Sequence, residues 1–338
     1  MGDWKASLTI HSLARDLGLR PDNNAVDAIK RYCEDRIHGF LRDFPSAKTL
    51  NELLEIAANK LQTRFEEIQS DSDLVVLVDK YVAVGEKAFA VLEQELSPDV
   101  FGITFKRTRR KSWEPAYVSV IDSRASKFAR RYFTKWHELG HLLILTDQLR
   151  LEFRRTHLHL DERDPEERLV DVLAGEFGFL RDIVVPHADG SISFDKVERI
   201  RSILCPDASL VASLIGITRT WPEPCVLVRA EEGLRKKEQR ATAQGCFGFV
   251  ETPQFVLRAV NSSSNEAARD TGLLVFPNMR IPEDSIIAEV YRAEAGHDVR
   301  IENLDSWLTT DGTRLRPRSI RVEARWAHNG VDALITAA

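Results

Sequence analysis

Trp136-His137-Glu138-Leu139-Gly140-His141-Leu142-Leu143 is the stretch on which the reading of this chain turns. It contains an H-E-x-x-H motif. Residues four apart on a helix share a face, so His137 and His141 can point at one ion. Imidazole nitrogens at that spacing suit zinc, and Glu138 beside them is placed to take a proton from an attacking water. The neighbours support a helix buried on one face. Tyr132, Phe133 and Trp136 stand before the motif, and Leu142, Leu143, Ile144 and Leu145 follow.

A catalytic zinc usually takes three protein ligands and leaves a position open for water. The residues offer three candidates for the third. Glu167 lies on a second expected helix, four residues before Asp171 and so on the same face. Glu167 can ligate while Asp171 accepts the free N–H of a ligand histidine and fixes its tautomer. Glu166 lacks such a partner, because position 170 is Val170, and Glu176 lies nine residues further along. Asp147, six residues after His141, has the spacing of some zinc proteases. Those turn the chain with a glycine where this chain has Ile144, which disfavours a left-handed backbone. The third candidate is the pair His157 and His159, where alternation in Arg155–Leu160 reads as a strand or loop with exposed histidines.

Two segments resemble a known family. Phe133-Thr134-Lys135-Trp136-His137-Glu138-Leu139-Gly140-His141-Leu142-Leu143 is similar to the F-T-x-x-H-E-L-G-H-x-L segment of the ImmA/IrrE metallo-endopeptidases. Glu167-Arg168-Leu169-Val170-Asp171-Val172-Leu173-Ala174-Gly175-Glu176-Phe177 resembles that family's second segment, E-x-x-x-[ND]-x-F-A-A-E-[LF]. The likeness spans roughly residues 110–185, with both motifs in the family's order. It implies a zincin-like fold with His137, His141 and Glu167 as Zn2+ ligands and Glu138 as general base. The chain departs from the family in two places. Phe179-Leu180-Arg181-Asp182 stands where L-M-P often follows, and Trp136 replaces a frequent alanine. Neither removes a ligand. Family members typically act on a cytoplasmic transcriptional repressor in a stress or mobile-element response. The resemblance therefore implies a helix-turn-helix repressor as protein substrate.

Composition narrows the remaining choices. A chain of 338 residues has room for two or three domains, and 43% hydrophobic with 29% charged residues is ordinary for a globular protein. A net charge of −5 gives no global drive toward nucleic acid or anionic membrane. The basic run Lys106-Arg107-Thr108-Arg109-Arg110-Lys111 is expected to be a solvated loop. No apolar run approaches the roughly 18 residues of a membrane span. Met1-Gly2-Asp3-Trp4-Lys5 lacks a signal core, and Ala6 stands where myristoylation wants Ser or Thr. The expected location is the cytoplasm, with no membrane partner. Cys33, Cys205, Cys225 and Cys246 form no C-x-x-C pair and read as reduced, mostly buried thiols.

The expected fold class is α+β, in four parts. Residues 1–95 read as helical, with a capping box at Thr49–Glu52 and a helix whose apolar stripe runs from Leu50 to Ile68. A second helix is expected from about Asp73 to Glu95. Residues 96–190 read as the zincin-like metallopeptidase domain. Its strand is expected at Ala116–Ile121, its site helix next, and then a helix opened by Asp164 and Pro165. Residues 191–221 read as a helical hairpin or helix-turn-helix-like linker around Cys205-Pro206-Asp207. Residues 222–338 read as a β-rich, possible sensory domain. Its expected strands lie at Cys225–Val228, Leu273–Phe276, Ser285–Tyr291 and Ser319–Ala324, with turns at Asp311-Gly312 and Asn329-Gly330.

The expected activity is zinc-assisted peptide hydrolysis. Tyr132 and His187 are candidate donors to the tetrahedral oxyanion. Two other readings remain open: a non-catalytic regulator that binds a partner or DNA on a zincin scaffold, and a hydrolase of a non-peptide amide.

Overall fold

The computed structural model describes residues 4–20, 24–145, 152–156, 164–234, 255–309 and 313–338. The fold is α+β with two sheets. Contacts divide the chain into two compact units, Met1–Ile183 with Arg201–Ala212, and Val184–Ile200 with Ser213–Ala338. No helix among the described residues is long and apolar enough to cross a membrane.

The first unit opens with α1 (Leu8–Asp16), α2 (Ala25–Asp43) and α3 (Leu50–Lys60). The capping box at Thr49 and Glu52 is present. The expected continuation of this helix to Ile68 is not. Gln62 adopts a left-handed φ of 53°, which ends the turn, and β1 (Thr63–Ile68) follows. Phe65 and Ile68 happen to fall at helical spacing from Leu61, but their backbone bonds go to a neighbouring strand. The second expected helix also breaks early. α4 (Asp71–Ala83) stops before Gly85, whose φ is 88°, and only the short α5 (Leu92–Glu95) resumes.

β2 (Val100–Lys106), β3 (Tyr117–Asp122), α6 (Arg131–Leu143), β4 (Glu152–Thr156) and α7 (Pro165–Phe177) complete this unit's frame. The sheet order is β1-β3-β2-β4, with β1 parallel to β3 and the other pairs antiparallel. A strand from before residue 95 thus pairs with one from after it, so the boundary expected there does not separate two folding units.

Strand alternation assigns the two faces of this sheet. Ile103 and Phe105 of β2 and Val118 and Val120 of β3 join a core with Leu77, Tyr81 and Phe89. The intervening residues Gly102, Thr104 and Ser119 turn to the opposite face, where α6 lies. The site helix is therefore seated on small and hydroxyl-bearing residues.

After α8 (Arg181–Val184), the two helices expected around Cys205-Pro206-Asp207 are α9 (Phe194–Leu204) and α10 (Leu210–Thr220). The second unit is β-rich, with β5 (Cys225–Gly233), β6 (Val256–Ser264), α11 (Glu266–Asp270), α12 (Ile286–Ala293), β7 (His297–Asn303), β8 (Ser319–Ala327) and β9 (Gly330–Ala337). Its antiparallel sheet has the order β6-β5-β9-β8-β7.

The strand expected at Ser285–Tyr291 is instead α12. The Ser285 side chain accepts from the N–H of Ile287, and Glu302 accepts from that of Ile286 at 2.7 Å, so the free N–H groups of a helix start are satisfied. Leu273–Phe276 makes no ladder either. Leu273 and Val275 are core residues held in an irregular segment. The Asn329-Gly330 turn is present, with His328 and Asn329 at φ 44° and 62°, both left-handed as a tight hairpin requires. Asp311-Gly312 and Cys246 lie outside the described residues. Cys33, Cys205 and Cys225 are buried and form no disulfide among the described residues, and burial pushes the thiols of Cys33 and Cys225 up to about 12.

Candidate metal centre

Two helices build the centre. α6 carries His137, Glu138 and His141, exposed by 1%, 0% and 1%, so the whole motif lies inside the protein. The guanidinium of Arg36, on α2, donates to the Leu143 carbonyl at 2.6 Å and so closes the C-terminal end of this helix with a positive charge. α7 begins as expected. Asp164 accepts from the N–H of Glu166 at 2.8 Å, and Pro165 takes the first turn.

The helices meet at Gly140. A Cβ added there would lie 2.8 Å from Cγ1 of Val170, so only glycine allows α7 to come this close. Close approach is what brings the Glu167 carboxylate to the two histidines. Nε2 of His137 lies 3.2 Å from one Glu167 oxygen and Nε2 of His141 lies 3.2 Å from the other. The two Nε2 atoms are themselves 3.2 Å apart. Among the described residues, His137, His141 and Glu167 form a group able to hold a metal ion. Burial alone would raise the Glu167 carboxyl. The two imidazoles outweigh it and hold the group far below the usual glutamate range.

Two imidazoles and a carboxylate form a donor set that suits first-row divalent ions, zinc among them. Four ligands at the 2.0–2.1 Å bond lengths of zinc to imidazole or carboxylate span tetrahedral edges of about 3.3 Å. The Nε2–Nε2 separation of 3.2 Å matches one such edge, and each Nε2 stands at the same distance from a different oxygen of the Glu167 carboxylate. Calcium would need more oxygen ligands at longer bonds.

The supporting shell is only partly the expected one. Nδ1 of His137 lies 3.0 Å from Oδ1 of Asp171, as expected. A proton held on Nδ1 by that carboxylate leaves the Nε2 lone pair facing Glu167 and the ion site. Glu166, set aside as a ligand, takes a different position. Its Oε1 stands 3.9 Å from Nδ1 of His141, beyond hydrogen-bond reach but close enough for its charge to be felt. Glu176 turns away and pairs with Lys30 at 3.1 Å. Asp147, His157 and His159 lie outside the described residues.

Sequence reasoning missed the other half of the site, which comes from the sheet. The Thr104 hydroxyl donates to Oε2 of Glu138 at 2.7 Å. Behind it, Ser119 lies 2.6 Å from Thr104, and Thr63 lies 3.1 Å from Ser119. With Glu138 ionised, each hydroxyl has one proton to give. The chain therefore runs Thr63 to Ser119 to Thr104 to the carboxylate, one hydroxyl from each of β1, β3 and β2. Gly102 clears the space beside it, since an added Cβ would stand 2.8 Å from Oε1 of Glu138 and from Cγ2 of Thr134. The alternation in Phe101-Gly102-Ile103-Thr104-Phe105 was the available signal. Its small inward residues mark a strand face that something large must cover.

Tyr132 does not face the centre. The Tyr132 hydroxyl donates to the Gly178 carbonyl at 2.7 Å, and its ring meets Phe179 edge-on, so it is a packing group. His187 belongs to the second unit. No family model matches this chain, and no curated protein matches it.

Proposed function

We propose that the protein is a zinc-dependent metallo-endopeptidase of zincin-like fold, similar in kind to the ImmA/IrrE enzymes. The observation that carries this reading is the convergence of three donor groups: the Nε2 atoms of His137 and His141 lie 3.2 Å apart, and the Glu167 carboxylate turns one oxygen to each at 3.2 Å. An ion of the zinc type held there supplies Lewis acidity and makes a water acidic near neutral pH. Asp171 keeps the His137 ring in the tautomer that presents Nε2.

The Glu138 carboxylate accepts the proton of the attacking water as its oxygen bonds to the scissile carbonyl carbon. It returns that proton to the amine nitrogen as the C–N bond breaks. Thr104 fixes one carboxylate oxygen, so the other is free to rotate only within a narrow range. β4 forms an edge of the sheet packed on α6, and an extended peptide can add to an edge strand by main-chain hydrogen bonds. The substrate in this reading is a cytoplasmic helix-turn-helix repressor, cut at one site in a stress or mobile-element response.

Metal content tests the assignment directly. Wild type and Glu167→Ala are equilibrated with buffered zinc, dialysed and assayed for bound metal. The expected result is one zinc per chain in wild type and a weakened or empty site in the variant. Equal retention in both would move the third ligand elsewhere, and no zinc in wild type would remove the enzymatic reading.

A further inference from the structure

The loop joining β2 to β3 is solvated, as its composition suggests, but its shape is fixed by hydrogen bonds. Glu86, only 2% exposed, reaches up into it from the sharp bend after α4. Its two oxygens accept from the N–H groups of Thr108 at 2.9 Å and Arg109 at 2.8 Å, from the Thr108 hydroxyl at 3.0 Å and from Nε of Arg107 at 3.3 Å. Glu114 closes the other side. It accepts from the Lys111 N–H at 2.8 Å and from Arg107 at 3.3 Å, and its carbonyl accepts from Arg110 at 2.9 Å. A buried carboxylate with four donors is a costly device if the loop needs no fixed shape.

The fixed shape presents a particular chemistry. Lys106, Arg109, Arg110 and Lys111 are exposed and make no ion pair among the described residues, although the chain as a whole carries more acid than base. With Arg107 the loop carries five cations against two carboxylates, Glu86 and Glu114, so a positive surplus remains that repels itself and that an anionic partner relieves. Beside them Trp113 is 77% exposed, the most exposed large aromatic ring among the described residues. The Lys111 ammonium lies over it, 5.2 Å from the ring centre. An indole next to guanidinium forks matches a nucleobase attached to a phosphate: the ring stacks on the base and the forks grip the phosphates. An exposed base is available in a single strand and not in a duplex. A membrane surface would call for more apolar side chains than this one ring between Ser112 and Glu114.

We infer that the β2–β3 hairpin, Lys106 to Trp113, is a binding element for single-stranded nucleic acid, with Lys106, Arg109, Arg110 and Lys111 on the phosphates and Trp113 stacked on a base. This assignment stands apart from the peptidase reading, since none of its residues belongs to the ion site.

Fluorescence anisotropy of the full chain with a labelled 20-nucleotide oligo-dT tests it, with a 20-base-pair duplex beside it, at 50 and 200 mM NaCl. The expected result is binding to oligo-dT tighter than to the duplex. Its dependence on log salt should have a slope of about −3, corresponding to four neutralised phosphates on a single strand. The double variant Arg109→Glu/Arg110→Glu should lower affinity more than tenfold. Trp113→Ala should lower it by about tenfold for oligo-dT and little for the duplex. The inference is overturned by no binding at 50 mM NaCl, or by binding that both variants leave unchanged. It is equally overturned by a duplex bound as tightly as the single strand, or by tighter binding to poly-glutamate or phosphatidylserine vesicles than to oligo-dT.

Discussion

Single atoms decide whether this centre works. Asp171 and Glu138 both sit against the ion site, yet they predict separable losses. Asp171→Ala leaves His137 free to turn or change tautomer, and zinc affinity should fall about 10- to 100-fold in a chelator competition. Glu138→Gln keeps all three ligands, so zinc binding should stay within about twofold of wild type. Turnover should drop by about 10²–10⁴, the usual worth of a general base, and a fully active variant would end the mechanism proposed above. Gly140 gives a third and less obvious result. Gly140→Ala adds one methyl 2.8 Å from Val170 and pushes α7 off α6. The helix itself should gain, because alanine favours helix over glycine by about 1 kcal/mol. The signature is therefore weaker zinc binding with helical circular dichroism preserved, and unchanged affinity would show that α7 is not held by that contact.

At the scale of elements, strands and helices differed in how readily they could be read. α6 and α7 were legible because each joins a strong apolar period to local chemistry: the histidine spacing in one, the Asp164-Pro165 start in the other. β1 was not, because Leu61, Phe65 and Ile68 satisfy a helical period by coincidence, and the residue that breaks the helix, Gln62, is no usual breaker. α12 was misread as a strand because Ile286 and Ile287 favour β structure, while the Glu302 contact that helps seat its first turn comes from a strand yet to be made. The cluster of His137, His141 and Glu167 was therefore visible in the sequence and the hydroxyl chain behind Glu138 was not, since it depends on a register between three strands. The hairpin after β2 carries its own prediction. Burial would raise the Glu86 carboxyl, but the donors from Thr108, Arg109 and Arg107 outweigh it and hold it below the ordinary range. A carboxyl lowered on folding adds stability above its unfolded value, near about 4.3, and loses it as pH falls through the folded value. Amide exchange at Thr108 and Arg109, corrected for its intrinsic pH dependence, should thus show protection steady from pH 7 to 5 that declines only as pH falls below about 4.3. Glu86→Gln with the same protection and the same acid profile as wild type would remove Glu86 as the anchor.

For the whole molecule, the candidate metal group His137, His141 and Glu167 lies entirely in the first compact unit. Stabilisation by a bound ion acts on the structure that binds it, by about 2.7 kcal/mol when free ion is a hundred times its dissociation constant. Chelation of the zinc-loaded protein should therefore speed hydrogen exchange in α6 and α7. The strands β5 to β9 should keep their rates. A uniform loss across both units would mean that they unfold as one. The second unit has a different dependence, on the order in which it is made. Its last strand, β9, is the middle of its sheet, between β5 and β8. During synthesis β5 and β8 emerge first, and each must wait as a temporary edge with a row of unpaired N–H and C=O groups. A chain that has β8 but lacks β9 has its sheet split down the centre, not trimmed at the rim. Such a chain would carry two sticky edges into the cell, so quality control has more reason to destroy a copy without β9 than a fold closed by its outer strands would give it.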